Sequence, residues 1–163
     1  MMAILAFTLL SVPAMAQPDL ANVAAPIPNI DRMGTAMKGY DTVAYFDYNE
    51  ATPGDSEMYY DFEKKARFRF ASKVNMKRFM SDPDRFLPAF GGYCAFSLGA
   101  APGQLSGVKP GLHEAVPTVY TIVDGRLYLF SSEEALERWK KDENGCQARA
   151  EEHWKAILEF RNR

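Results

Sequence analysis

The spacing of apolar and polar positions changes character several times along this chain. From Arg67 the order is Arg-Phe-Arg-Phe-Ala, a repeat of two. Phe68 and Phe70 therefore fall on one face and Arg67 and Arg69 on the other. The alternation predicts a strand over Arg67–Ala71, and the β-forming content of Met58–Glu63 predicts its partner. The link Lys64-Lys65-Ala66 is short enough for a hairpin, although it lacks the glycine of the tightest turns. At Ser72 the spacing lengthens to threes and fours. Met76, Phe79 and Met80 then share a face, while Lys73, Lys77 and Arg78 turn to water. Ser72 is placed to cap this helix, Lys73–Met80, and Asp82-Pro83 to end it. Upstream, Asp41–Phe46 reads as a short apolar element.

The later part of the chain carries clearer punctuation. Val119–Val123 and Arg126–Phe130 flank Asp124-Gly125, a dipeptide suited to a type I′ turn, so they predict a second hairpin. Ser131 with Glu134 reads as a capping box for a helix that carries Leu136 and Trp139 and ends near Asp142. Asn144-Gly145 reads as a break. Beyond it, Ala150, Trp154, Ile157 and Leu158 give Gln147–Phe160 the spacing of a last helix. Between Ser97 and Thr118 the chain is rich in Gly and Pro with no evident element. The fold class expected is α+β, small antiparallel hairpins packed with short helices in one domain. Its expected core is Phe68, Phe70, Phe79, Tyr93, Leu127, Leu129, Leu136 and Trp154.

Length and charge narrow the picture. A chain of 163 residues is long enough to bury a core and has the length of one domain. A formal charge of −2 makes no case for nucleic acid or an anionic membrane surface. Lys64, Lys65, Arg67 and Arg69 cluster, and read as a solvated strand face. Residues Ala3–Pro13 form an apolar segment too short to span a bilayer, and Ala14-Met15-Ala16 has the small-x-small pattern of a cleavage site. The expectation is a signal peptide over 1–16, an arm or linker over 17–37 and a folded domain over 38–163. The mature protein is then periplasmic or secreted, with no membrane insertion after cleavage. Ile27 and Ile30 are the arm's candidate attachment points.

Several motifs recur in an order that is not generic: Gly39-Tyr40-Asp41, Val43-Ala44-Tyr45-Phe46, Phe68-x-Phe70-Ala71-Ser72, Asp82-Pro83, Gly91-Gly92-Tyr93-Cys94-Ala95, and Gly125-Arg126-Leu127-Tyr128-Leu129. From about Lys38 to Trp154 the chain resembles the YHS-domain family, and the glycine-cysteine motif resembles its exported branch. The resemblance implies a single YHS-like domain. Metal-binding YHS domains fused to transport ATPases carry cysteines at positions that here are Ala44, Ala71 and Asn75, so that site does not carry over.

Cys94 remains, with three readings open: a buried small residue in a glycine-rich turn, a thiolate ligand for a soft ion such as copper as Cu(I), or half of a disulfide with Cys146. His113, in the long connection, is the candidate second metal ligand. His153 follows Cys146 by seven residues, about 10 Å along one helix, and reads as a surface histidine. Two cysteines and two histidines do not make a tetrahedral zinc pattern. No Ser-His-Asp motif, phosphate loop or His-Glu-x-x-His is present. The aromatic residues Tyr40, Tyr45, Phe46, Tyr93, Phe96 and Tyr128 read as core. The expected function is a non-enzymatic exported binding module, metal-associated through Cys94 and His113. The alternative is a metal-free module that is structural or binds a protein partner.

Overall fold

The computed structural model describes residues 29–62, 64–105 and 110–161. Its first hairpin pairs β1 (Glu57–Asp61) with β2 (Ala66–Phe70), antiparallel, with Tyr59 opposite Phe68 and Asp61 opposite Ala66. Both strands start one residue earlier than the sequence predicts, and β1 ends two residues earlier. Asp61 explains why a turn without glycine closes them: its buried carboxylate accepts from Lys64 N at 2.9 Å and pairs with Lys64 Nζ at 3.2 Å. Phe68 and Phe70 point inward and Arg69 outward, as their alternation requires.

Helix α2 (Lys73–Ser81) covers the inner face of this hairpin. Ser72 caps it, its Oγ accepting from Asn75 N at 3.1 Å. Phe79 is the helix's one fully buried aromatic, set against the rings of Phe68 at 4.6 Å and Phe70 at 5.3 Å. Met80, expected on the same face, is half exposed, because the next helical position turns about 100° away from those rings. Pro83 does end α2, but it also starts a further turn, α3 (Pro83–Phe86), as proline at a first helical position can. The apolar element near Asp41 is a short helix, α1 (Ala44–Tyr48).

The second hairpin joins β3 (Val116–Val123) to β4 (Arg126–Phe130). Asp124 and Gly125 take positive φ values of 50° and 75°, the conformation of the primed turn that their sequence predicts. In β4, Leu127, Tyr128, Leu129 and Phe130 are all buried. Leu127 and Leu129 join a core with Val43, Tyr45, Phe68, Phe70 and Phe79. Tyr128 and Phe130 join a second core with Phe96, Leu98, Leu136, Trp139 and Trp154. The strand is thus a partition with a core on each side, and its unbroken apolar run is what burial on both faces demands.

The second core is closed by α4 (Ala95–Gly99), α5 (Glu133–Lys140) and α6 (Glu143–Arg161). Helix α4 runs into the Ser97–Thr118 stretch that the sequence reads as structureless, and β3 begins before that stretch ends. The α5 cap is Ser132, not Ser131: its Oγ accepts from Ala135 N at 3.2 Å, and Glu134 instead pairs with Arg138. Asn144-Gly145 does not break the chain. Both residues sit in the first turn of α6, where unsatisfied N–H groups are normal and the Asp142 carboxylate lies against Gly145. Where α4 ends, it crosses α6 so closely that a Cβ on Gly99 would overlap the Cys146 carbonyl. Arg149 Nε donates to Gly99 O across this contact at 2.6 Å.

The arm is part of the fold from Asn29 onward. Asn29 N donates to Gly91 O at 2.7 Å, and Gly34–Ala36 runs along β2, with Arg67 N donating to Gly34 O and Ala36 N to Arg67 O, each at 2.8 Å. Ala36 and Met37 are buried, whereas Ile30 is exposed, so Ile30 is not the anchor. Ile27 and the segment read as an export signal lie outside the described residues. Among the described residues no helix is long and apolar enough to cross a membrane.

Candidate functional site

Pro88 leads into a tight turn, Ala89–Gly92, in which Phe90, Gly91 and Gly92 have φ values of 55°, 62° and 83°. This left-handed run reverses the chain and delivers Tyr93 and Cys94 between two neighbours. Tyr93 forms an antiparallel bridge with Glu114, and Cys94 a parallel bridge with Leu129 of β4. Cys94 N donates to His113 O at 2.9 Å. Ser97 Oγ lies 2.8 Å from Cys94 O and 2.9 Å from Gly111 O, tying α4 to the same connection. The glycine turn and the His113 segment are therefore one locally braced unit.

A cleft of about 270 Å³ opens beside it. Cys94 and His113 line one side, Ser131 and Ser132 the start of α5, and Glu134 and Arg138 the rim. The structure brings the two predicted ligands to one place. Cys94 itself is fully buried among apolar neighbours, so it belongs to the floor, while His113 is partly buried. The rim charges are already matched: Arg138 Nη2 is 2.6 Å from Glu134 Oε1, and Arg138 Nη1 donates to Gln104 O at 2.7 Å. With its charges paired, the cleft offers hydroxyls, an imidazole and apolar walls rather than a net field. From the sequence Ser131 and Glu134 read only as a helix cap, and Ser132 and Arg138 carry no signal of a site. They come from the segment after β4, and only the packing of α5 against α4 and β4 relates them to Cys94.

Cys146 does not join this site. Both thiols are free and buried, which corrects the disulfide alternative. Cys146 sits at the α4–α6 crossing, with Arg149 Nη2 donating to its sulfur at 3.4 Å. Burial pushes its thiol above the usual range, against the opposing pull of the Arg149 charge. His153 is an exposed helix residue, as expected, but its Nδ1 lies 2.6 Å from Leu98 O and ties α6 to α4.

A second convergence lies in the first core. Asp41 is fully buried. Its Oδ1 accepts from Val43 N at 2.9 Å and Ala44 N at 3.3 Å; its Oδ2 accepts from Ala71 N at 2.9 Å and Asn75 Nδ2 at 2.7 Å. Ala44, Ala71 and Asn75, the positions compared above with metal-binding cysteines, thus meet around one carboxylate. The place does not suit a metal: the thiols are absent and both carboxylate oxygens are occupied by N–H donors. Asp41 works instead as a hub that joins α1, β2 and α2, and its only sequence signal is the Gly-Tyr-Asp entry. Among the described residues, no group of three or more His, Cys, Asp or Glu side chains is arranged to hold a metal ion. No family model, curated protein or solved structure matches the chain.

Proposed function

We propose that this protein is an exported YHS-like binding module without a catalytic step, and that it binds at the cleft beside Cys94 and His113. The observation that carries this reading is the placement of both residues on one cleft by a left-handed glycine turn and a backbone hydrogen bond. Copper(I) is the ligand that the donors suit best, since a thiolate selects it over harder ions and an imidazole is an acceptable second donor. Cys94 and His113 would hold it. A site with so few donors binds weakly and exchanges its ion readily. Because the sulfur lies beneath the floor, loading needs a small outward movement of the turn.

The metal-free reading has its own support: Cys94 is fully buried in an apolar cluster, the usual situation of a packing cysteine. Under that reading the cleft accepts a side chain of a protein partner. A Cu(I) competition titration under reducing conditions separates the two. Wild type should take up copper, and Cys94→Ser and His113→Ala should each weaken uptake at least about ten-fold, about 1.4 kcal/mol. If Cys94→Ser binds as well as wild type, copper is abandoned and the metal-free module takes its place.

A further inference from the structure

The outward face of the β1–β2 hairpin carries a surface that neither the cleft nor the core uses. Met58 and Phe62 are 62 % and 82 % exposed, and Tyr60 is 39 % exposed between them. Met58 and Tyr60 share the strand's outer side, and Phe62 follows at the turn, its ring 4.9 Å from that of Tyr60. Directly across the ladder, Met58 faces Arg69 and Tyr60 faces Arg67. An apolar row therefore lies beside two arginines, half-buried Arg67 and exposed Arg69, whose Nε donates to Gly54 O at 2.8 Å, with exposed Lys65 at the turn. None of Lys65, Arg67 or Arg69 forms an ion pair with a described residue. The chain as a whole carries −2, so this face is a local exception to its charge.

Scattered exposed apolar residues need no explanation, but three in succession on one face do. Met, Tyr, Phe and Arg are the types enriched where proteins meet, and aromatic and arginine side chains dominate binding energy there. Among the described residues the sheet has only two strands, so β1 there has an open edge able to pair with an added strand.

We propose that this face docks another protein, one that presents an apolar patch bordered by carboxylates. Those carboxylates complement Lys65, Arg67 and Arg69. A second copy meeting it face to face through the same hairpin would bring the same cations and no complement. The proposal uses no residue of the Cys94 cleft, so either can fail without the other.

The test is photo-crosslinking in the exporting cell, with benzoylphenylalanine placed at Met58 or Phe62, and at Lys77 or Lys155 as controls. A discrete protein adduct should form from positions 58 and 62 only. Arg67→Glu combined with Arg69→Glu should cut its yield at least ten-fold at a temperature where circular dichroism shows the variant folded. A hydrophobic-face variant, Tyr60→Ser with Phe62→Ser, should do the same. Equal adducts from all four positions, no adduct, or an adduct of two copies of the chain would overturn the proposal. Co-sedimentation of wild type with phosphatidylglycerol vesicles, lost in the Arg67/Arg69 variant, would overturn it in favour of a lipid surface.

Discussion

The two cores on either side of β4 are held together by different means. The first is organised around a charge: Asp41, buried and bound by four N–H donors, gathers α1, β2 and α2. The second is organised around close approach, with α4 pressed onto α6 at Gly99 and Cys146 and with Trp139 of α5 fully buried in the same core. A hydrogen-bonded hub fixes direction and tolerates little chemical change. A packed crossing fixes distance and tolerates little change in volume. The cleft with Cys94 belongs to the second core, so its shape follows from packing; around Asp41 both carboxylate oxygens are taken up by N–H donors.

Removing the hub should have the largest effect. Asp41→Ala strands several buried donors at once and should cost about 4 kcal/mol, at one to three per orphaned group with partial relaxation. Hydrogen exchange should accelerate first at the amides of α1 and α2. If α6 accelerates equally at low denaturant, the two cores are not separable in this way.

Gly99→Ala should follow, at about 3 kcal/mol, since the new methyl meets backbone and not a side chain that can swing aside. Its exchange signature should begin in α4 and α6. A loss below about 1 kcal/mol would show that the crossing has slack.

Tyr45 gives a smaller and pH-dependent effect. Its hydroxyl donates to Pro117 O at 2.9 Å, so Tyr45→Phe should cost about 1 kcal/mol near neutrality. Burial raises the phenol of Tyr45 well above its usual value near 10, and raises Tyr120 and Tyr128 in the same direction. The folded chain therefore holds these protons more tightly than the unfolded chain. Their stabilising contribution is complete below about pH 10 and is lost above it, as the unfolded phenols ionise first. Urea titrations should show an alkaline decline that is shallower in Tyr45→Phe than in wild type. The smallest effect is expected on the exposed side of α2, where Lys77→Ala should change stability by less than about 0.5 kcal/mol.

The chain's local grammar determined a good deal by itself. The alternation around Phe68 and Phe70, the Ser72 cap, the Asp124-Gly125 turn and the stripe of Ala150, Trp154 and Leu158 all depend on neighbours a few residues away, and all are found in place. So is the α+β class that those elements compose. Tertiary structure decided the rest, because the deciding partners are remote in sequence. Asn144-Gly145 is helical because Asp142 and the α4 crossing support it. Tyr93, expected in the core, is only half-buried, since its ring rests at the edge of Trp154 with a centroid distance of 6.4 Å. Cys94 and His113 were legible as candidates, but a periodicity cannot tell that their backbones are paired. Nor can it show that Ser131, Ser132 and Arg138 face them across a cleft. Hydrophobic spacing specifies which face of an element is buried; what that face meets is set only when separate elements compete for the same core.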